Sequence, residues 1–431
     1  MILTGRAALV ALAGALVVLA FRTGLALIIV DSVILAGIIA DLVLAASLRK
    51  VVAWRSGDAK IHLGQPGTIN VTIANGGSRR LRGVVRDGWR PSAGAAPARS
   101  VISVPGGNRQ VSLTTTLTPQ RRGDVDGGPV TMRSLGPLGL AGRQRNLKAP
   151  WRVRVLPPFL SRKHLPEKLA KLRELDGQHK SMIRGQGSEF DSLRPYVLGD
   201  DVRSIDWRSS ARRADVLVRT WRPERDRRIV IVLDTGRSSA GRVGGIPRLD
   251  ASMDAALLLA ALAVRAGDRV DLLAIDRRVR ARVVGAGRNE VLATITNEMA
   301  VLEADLIEPD IKLMAASVLG IARQRCLVVL MTDLNPAAIE QGLLPHVQLL
   351  SSKHKVLVAA VADPKVAEMT GDRGDPTAVY NAAAAVRTQA GRAQVSALLR
   401  RNGVEIVDAP PDRLPPVLAD AYLSLKAAGR L

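Results

Sequence analysis

Two aspartates that follow apolar runs have the positions best suited to cation chemistry. Residues 229–233 are an unbroken β-branched and aliphatic run, which predicts a strand buried on both faces of a parallel sheet, and Asp234 follows it directly. Residues 326–331 are a second such run, and Asp333 stands just past its end. Ligands of open α/β sheets bind outside the carboxyl ends of strands, and Mg²⁺ prefers oxygen ligands. The pattern therefore predicts a Mg²⁺ site at one rim; the alternative is that Asp234 caps the following turn through local backbone hydrogen bonds.

Catalytic motifs are not found elsewhere in the sequence. The chain has no G-x-S-x-G and no G-x-x-x-x-G-K-[ST], and its five histidines have no ligand spacing with a carboxylate or thiol cluster. The single cysteine, Cys326, lies in an apolar run, which favours a buried core position over a nucleophile. We therefore expect a protein that is not an enzyme and that has no cofactor apart from the predicted Mg²⁺.

A polar segment before the first strand is the second candidate site. Between residues 189 and 208, carboxylates and arginines alternate with aromatic and aliphatic side chains. That interleaving suits either an ion-paired clasp over the sheet or a surface that docks a protein partner. The candidate partner-binding residues are Arg194, Asp200, Asp201, Arg203, Asp206 and Trp207.

The run G-S-E-F-D-S-L-R-P-Y-V-L-G-D-D-V-R-S-I-D-W-R-S-S-A-R, which begins at Gly187, resembles the signature of the domain-of-unknown-function 58 family. Its members are bacterial proteins whose C-terminal half resembles a von Willebrand factor A domain. D-T-G-R-S from Asp234 is similar to the metal-ion-dependent adhesion site D-x-S-x-S, and the likeness continues through M-T-D-L at residues 331–334. The resemblance implies metal ligands at Asp234, Ser238 and Asp333. Gly236 replaces one serine of that motif, and residues 308–313 lack the usual threonine.

The same resemblance implies partners. Such proteins are associated with MoxR-type AAA+ ATPases, so the expected role is an adaptor that presents or assembles client proteins in a process linked to the cell envelope. Composition supplies an alternative, because 62 Lys and Arg against 39 Asp and Glu give a net charge of +23. A basic surface that binds anionic lipid or nucleic acid would use this charge, although ordinary solvated faces would explain it equally well. The Arg-rich residues 208–228 favour a charged edge strand over nucleic-acid binding.

The N-terminal residues suggest a membrane anchor. Residues 2–21 and 25–48 are almost wholly apolar, each is near the length that crosses a bilayer, and three residues between them allow only a tight turn. We expect two retained spans in the plasma membrane, with a signal peptide as the alternative for the first. The soluble domains should face the cytoplasm, because the positive charges flanking the pair outnumber Arg22 in its turn. These flanking charges are Arg6, Arg49, Lys50 and Arg55.

Two ionisable residues interrupt the second apolar run. Asp41 lies near its cytoplasmic end and can snorkel to the interface, whereas Asp31 lies about two turns into the run. Ten positions separate them, so they point in different directions, which favours helix contact or interfacial escape over a proton path.

The predicted fold class is α/β, in four parts. Residues 1–50 form the transmembrane helical hairpin, and residues 51–158 form a small antiparallel β-sandwich, because period-two segments such as 69–73 and 111–117 are separated by turn signals. Residues 159–186 form a linker helix whose apolar spacing stops at Gly177. Residues 187–431 hold the signature and a doubly wound, von Willebrand A-like domain, because strands and helices alternate.

Overall fold

The structure is a computed structural model that describes residues 1–182, 189–213, 215–222, 227–372 and 374–431, with the backbone alone at 176–182, 189–191 and 220–222. The end of the predicted linker, the first two signature residues (187 and 188) and bridge residues 223–226 lie outside the described residues. The chain is mixed α/β and forms two compact units, Met1–Leu156 and Pro157–Leu431.

Two apolar helices open the first unit, α1 (Gly5–Phe21) and α2 (Gly24–Leu44). Thr23 begins α2 as its N-cap, because its hydroxyl accepts a hydrogen bond from the Ala26 amide. Gly14 of α1 lies against Val30 of α2, where a Cβ would come within 2.6 Å of the valine side chain. Of the described helices, only α2, with 21 residues, is long and apolar enough to cross a membrane; α1 has 17 residues.

Short strands make up the rest of the first unit. They are β1 (Ile2–Leu3), β2 (Val51–Gly57), β3 (Lys60–His62), β4 (Gly67–Asn75), β5 (Leu81–Asp87), β6 (Ala95–Ala96), β7 (Ser100–Val104), β8 (Arg109–Leu117), β9 (Gly123–Asp126), β10 (Val130–Leu135), β11 (Ala141–Leu147) and β12 (Arg152–Leu156). The sheets are ordered β1-β11-β10-β5-β7, β2-β4-β8-β6 and β3-β12-β9. Inward residues of the first two sheets share one core, which includes Ile73, Leu81 and Met132. The strands predicted from alternation at 69–73 and 111–117 are confirmed as β4 and β8, which pair in antiparallel register.

The C-terminal end of α2 is held by the turn at residues 136–141. Both carboxylate oxygens of Asp41 accept backbone hydrogen bonds, from the amides of Leu138 (2.8 Å), Leu140 (2.5 Å) and Ala141 (3.1 Å). Asp41 is fully buried, so the expectation that it reaches the interface is wrong, because local amides replace water as its donors. We call this turn the Asp41 socket.

A second sequence-based assumption also fails in this unit. Arg55 was counted among the positive charges that flank the apolar helices, but its side chain is fully buried in the β-sheet region. It pairs with Asp87, at 2.5 Å, and its guanidinium lies over the Trp89 ring. A buried, neutralised arginine does not contribute to the charge difference that sets membrane orientation.

Helices and strands alternate in the second unit. The helices are α3 (Leu165–Met182), α4 (Trp207–Arg213), α5 (Arg237–Ala240), α6 (Arg248–Arg265), α7 (Val291–Ala300), α8 (Ile311–Ile321), α9 (Pro336–Ala338), α10 (Leu344–Lys353), α11 (Pro364–Met369), α12 (Pro376–Arg401) and α13 (Leu414–Ala427). The strands are β13 (Glu189–Pro195), β14 (Leu217–Arg222), β15 (Arg228–Asp234), β16 (Arg242–Val243), β17 (Ile246–Pro247), β18 (Arg269–Ile275), β19 (Val279–Val283), β20 (Leu327–Met331), β21 (Lys355–Val361) and β22 (Glu405–Ala409).

A six-stranded sheet organises this unit, in the order β19-β18-β15-β20-β21-β22. All neighbours are parallel except the edge strand β19, which returns antiparallel to β18. Side chains of the central strands point alternately into two apolar clusters: Ile231 packs with α6 on one face, and Val232 packs with α8 and α10 on the other. Helices therefore cover both faces, and the carboxyl edge of the sheet is left to loops.

Helix α3 differs from its prediction. It continues through Gly177 to Met182, because a glycine inside a helix costs only about 1 kcal/mol relative to alanine and does not by itself end the helix. Its first turns pack on α6 and α13, where Leu172 is buried and Lys168 pairs with Asp420 at 3.0 Å.

Candidate functional site

The carboxyl edge of the six-stranded sheet brings Asp234 next to two hydroxyls. Asp234 ends β15, and its Oδ2 accepts hydrogen bonds from Ser238 Oγ at 2.5 Å and Thr332 Oγ1 at 2.8 Å. Its Oδ1 accepts the amide of Gly236 at 2.7 Å, which is the local turn capping considered as the alternative to a metal site. We call Asp234, Ser238, Thr332 and Asp333 the rim.

Thr332 is the rim residue that sequence reasoning missed. A threonine was sought in residues 308–313, but the hydroxyl comes from M-T-D-L, directly after β20. β20 is hydrogen-bonded to β15, so the residue after its last strand position reaches the residue that ends β15. The sequence did contain a signal for this residue, because Thr332 directly precedes Asp333 in M-T-D-L, the segment that contains a predicted metal ligand.

Gly236 stands where the adhesion motif has its first serine, and the structure gives the reason. A Cβ on Gly236 would lie 2.8 Å from the carbonyl oxygen of Ile307, which also accepts the Arg237 amide at 2.8 Å. The backbones approach too closely for a side chain, so a serine there would displace the loop that follows α7. Leu306, which directly precedes Ile307 in that loop, projects into solvent with 80% of its surface exposed.

Burial dominates the electrostatics of Asp234. It is 5% exposed, and desolvation raises the pKa of its carboxyl, although the hydrogen bonds from Ser238, Gly236 and Thr332 offset part of that rise. A raised pKa in the folded state means that the ionised carboxylate reduces stability at neutral pH, and that this cost disappears as the pH falls through the folded pKa.

Asp234→Asn should therefore be tolerated. We expect the melting temperature of the full-length variant at pH 7 to equal or slightly exceed that of the wild type, with the difference vanishing toward acidic pH. Asp271→Asn is the matched control, because buried Asp271 accepts Arg228 Nε at 2.5 Å and its loss leaves that guanidinium without its counter-ion. A large destabilisation by Asp234→Asn at pH 7 would contradict this assignment.

Asp333 is held by two arginines. Arg248 Nη1, from the first residue of α6, lies 2.7 Å from one carboxylate oxygen, and Arg392 Nη1, from α12, donates to the other at 2.6 Å. Arg392 also pairs with Asp408; burial lowers the pKa of its guanidinium, but the two carboxylates outweigh this effect and raise it. Asp333 is thus neutralised by the chain itself.

The predicted ligands do not fit a Mg²⁺ ion. Arg248 Nη1 also donates to the Ser238 carbonyl at 2.9 Å, so a guanidinium lies between Ser238 and Asp333, two of the predicted ligands. Within the described ranges, no group of three His, Cys, Asp or Glu side chains could hold a metal ion. Buried Nε of Arg248 has no hydrogen-bond partner among the described residues, and an orphan donor calls for an acceptor rather than a cation.

The second candidate site is an antiparallel hairpin built by β13 and β14, which with the residues between them we call the signature hairpin. Arg194 forms a two-pronged pair with Asp200 (2.7 and 2.5 Å), which lowers the pKa of that carboxyl. Asp206 accepts Arg219 Nε at 2.9 Å and the Ser209 amide at 3.0 Å. The hydrogen bond from Ser209 and then that from Arg219 lower the pKa of Asp206.

Of the six predicted partner-binding residues, three are exposed, namely Asp201, Arg203 and Trp207. Arg194, Asp200 and Asp206 form the internal ion pairs, and Asp201 accepts the Arg203 amide at 2.9 Å in a 3₁₀ turn. Trp207 is 66% exposed and the Arg203 side chain is also exposed.

Exposed aliphatic side chains of the hairpin were not predicted. They are Val197, Leu198 and Val202, and Leu198 is 96% exposed on the turn that Asp200 closes. Their sequence signal is the V-L pair inside an otherwise polar segment. The hairpin thus combines an ion-paired frame with an apolar tip, which is a pattern typical of binding surfaces.

Comparison with known proteins gives a family match and uncharacterized relatives. Uncharacterized proteins of Mycobacterium tuberculosis and Mycobacterium bovis are 29% identical over 206 residues, 47% of this chain. The chain spans 63% of the length of these curated relatives.

Among solved structures, the CARDB domain of a Pyrococcus furiosus protein is 17% identical with a TM-score of 0.19, covering 24% of this chain and 91% of that one. A Vibrio harveyi exo-β-N-acetylglucosaminidase is 8% identical with a TM-score of 0.19, over 84% of this chain and 82% of that one. Neither similarity is high enough to bear on the fold.

The family match coincides with the two candidate sites. Residues 192–404 match the family described as "Protein of unknown function DUF58". These residues include most of the signature hairpin, the rim and five of the six strands of the large sheet. Over residues 192–404, therefore, the chain is similar to the DUF58 family.

Proposed function

We propose that this protein is a membrane-anchored adaptor whose von Willebrand A-like domain binds protein partners, among them a MoxR-type AAA+ ATPase and its clients, and that it is not an enzyme. The observation that carries the proposal is the rim. A strand-end aspartate, a serine four residues later and a strand-end threonine meet at the carboxyl edge of a parallel sheet with one antiparallel edge strand. In such sheets this edge is where ligands bind.

Accessible side chains near the rim favour a macromolecular ligand over a small substrate. Leu306 projects from the loop that packs on Gly236, and Arg237 and Glu308 form an exposed pair at 2.5 Å beside it. A described cavity of this unit, about 190 Å³, lies away from the rim, at the opposite end of β18, where Arg269 and Arg288 line it. An apolar side chain with polar neighbours can contribute a contact to a protein interface.

The proposed anchor is a helical hairpin with two spans, in the plasma membrane. Thr4, which begins α1, donates its hydroxyl to Gly139 O at 2.5 Å, and Asp41, near the end of α2, accepts three amides of the same turn. The start of one helix and the end of the other therefore lie at the same turn, as expected if both spans begin and end on one side. Arg6, Arg49 and Lys50 favour the cytoplasm for that side, and the soluble parts then face it.

The signature hairpin is the proposed second contact for a partner. Its arginine–aspartate pairs fix the backbone, so Leu198 and Trp207 are presented without an ordering cost at binding. An alternative function uses the charge of this segment: Arg203, Arg208, Arg212 and Arg213 are all exposed beside Trp207, a composition that suits anionic lipid or nucleic acid.

Site-specific photo-crosslinking in native cells tests the proposal. A photoreactive residue in place of Leu198 should capture a AAA+ ATPase with the full-length protein, and Trp207→Ala should reduce the yield by roughly tenfold or more, because an exposed tryptophan of an interface contributes about 2 kcal/mol. Val101, 84% exposed in the first unit, is the matched control position. Recovery of lipid or nucleic acid alone, in place of an ATPase, would reject the adaptor and favour the alternative.

A further inference from the structure

A guanidinium lies beside the rim, close to residues that were predicted to bind a divalent cation. Arg248 Nη1 lies 2.9 Å from the Ser238 carbonyl oxygen and 2.7 Å from Asp333 Oδ2, and Ser238 Oγ in turn donates to Asp234. One positive group thus connects two of the three predicted ligands and is one hydrogen bond from the third.

We infer that Arg248 takes the place of the metal ion at this rim, and that the rim receives a side-chain carboxylate of a protein partner without Mg²⁺. The inference rests on the proposed adaptor function and specifies the chemistry of its contact.

Charge supports the inference. Asp234 and Asp333 are the two carboxylates of the predicted ligand set, and Asp333 contacts two positive side chains, Arg248 and Arg392, of which Arg392 is shared with Asp408. A cation that entered here would have to displace a guanidinium from an ion pair whose members are 13% to 18% exposed. Few protein oxygens would remain to compensate for the dehydration of Mg²⁺.

Hydrogen-bonding capacity supports an anionic ligand. Asp234 has little acceptor capacity left, because Oδ1 takes the Gly236 amide and Oδ2 takes the Ser238 and Thr332 hydroxyls. Arg248, by contrast, is a donor group with 18% of its side chain exposed, and its Nε, although buried, has no partner in the described part of the chain. Planar guanidinium donors suit a carboxylate, which they can bind through two parallel hydrogen bonds.

The geometry places an arginine of this protein where a partner's carboxylate would otherwise meet a metal ion. In a metal-dependent adhesion site the partner's carboxylate completes the coordination of the ion, whereas here it would approach the arginine directly. Arg248 is partly accessible, with 18% of its side chain exposed, and the rim is flanked by exposed Leu306. The expected partner residue is therefore an aspartate or glutamate next to an apolar contact.

A Mg²⁺ titration of the full-length protein in nanodiscs tests the metal part. We expect no saturable Mg²⁺ binding to the wild type by calorimetry at millimolar concentrations, and the same melting temperature in Mg²⁺ and in chelator. Arg248→Met removes a positive charge beside Asp333 and should show saturable Mg²⁺ binding at millimolar concentrations, whereas Arg248→Lys retains the charge and, like the wild type, should show none. Saturable wild-type binding, or no saturable binding to a folded Arg248→Met variant, overturns the inference.

A matched control separates the local effect from surface charge. Arg237→Met removes an arginine next to the rim that is 66% exposed and paired with Glu308, and like the wild type it should show no saturable Mg²⁺ binding. Equal Mg²⁺ binding to this variant would show a general charge effect and would overturn the assignment to Arg248.

The carboxylate part is tested by cross-linking from Leu306 in the same full-length protein. Acetate should compete with the partner's adduct, its neutral analogue acetamide should not, and chelator should have no effect. Competition by inorganic phosphate but not acetate would replace the carboxylate with a phosphate, and a chelator-sensitive adduct would restore the metal; either result overturns the inference while the adaptor function stands. Absence of any protein adduct rejects the adaptor function, and the Mg²⁺ titration still decides the role of Arg248.

Discussion

Asp41→Ala should detach the end of α2 from the Asp41 socket. The change removes the acceptor of three backbone amides, of Leu138, Leu140 and Ala141, and an unsatisfied buried donor costs about 1–3 kcal/mol. We expect a loss of about 3 kcal/mol in the free energy of local opening, since water can reach some of the amides once the socket opens. Hydrogen exchange at these three amides, measured on the full-length protein in nanodiscs, should accelerate by about a hundredfold.

Two further variants separate the socket from a general effect on the helix. Gly136→Ala should reproduce the phenotype without removing the carboxylate, because its Cβ would lie 2.4 Å from the Asp41 carboxyl carbon. Asp31→Ala changes the other aspartate of the same helix, which is exposed, and should leave exchange at the socket amides unchanged. Unaltered exchange in both Asp41→Ala and Gly136→Ala would show that the socket does not hold the helix.

The socket also gives a role to the glycines and leucines of residues 136–140. G-P-L-G-L at residues 136–140 has no ligand chemistry, yet its first glycine makes room for Asp41 and two of its leucine amides bind the carboxylate. Arginines add to the contact: Arg143 and Arg79 donate to carbonyls of Leu42 and Val43 in the last turn of α2. These carbonyls have no partner within the helix, so cationic donors suit them.

Local pattern was sufficient to predict the strands and helices that build the large sheet. Residues 356–361 are apolar without interruption and lie in β21, and the Ala/Leu run after Leu249 lies in α6. Both are buried on most sides, so hydrophobicity alone specifies them. Gly177 was misjudged for the complementary reason, because the packing of α3 on α6 and α13 is a tertiary effect that a local breaker signal does not include.

The candidate site was predictable in its positions but not in its partners. Asp234 and Asp333 follow the predicted strands, so their location at one edge came from the pattern. The two arginines that neutralise Asp333 could not be predicted from the local pattern. Arg392 is 59 positions away from Asp333 in the chain, and Arg248 belongs to a separate helix, α6. Burial of the Asp234 carboxylate, and hence its raised pKa, likewise depends on contacts that only the folded chain makes.

Arg55→Met should be the most destabilising single change in the first unit. The guanidinium donates to Asp87 through Nε (3.0 Å) and Nη2 (2.5 Å), to Gly128 O at 2.8 Å and to Ala149 O, with its side chain fully buried. Methionine keeps part of the apolar stem but leaves Asp87 as a buried charge without its counter-ion. We expect a loss of about 3–5 kcal/mol in the free energy of unfolding, measured by denaturant titration of the full-length protein in detergent.

A double-mutant cycle and an exposed pair show whether burial is the cause. The double variant Arg55→Met/Asp87→Asn should lose less stability than the sum of the two single variants, because Asp87→Asn removes the carboxylate charge that Arg55→Met leaves buried without a counter-ion. The Trp89 Nε1 donor keeps an acceptor, the side-chain oxygen of the asparagine. The exposed pair of Arg152 with Asp126, at 2.7 Å, is the control, and Arg152→Met should cost less than about 1 kcal/mol. Equal losses for Arg55→Met and Arg152→Met would show that the buried network contributes no more to stability than a surface ion pair. The burial of Arg55 would then have no structural role.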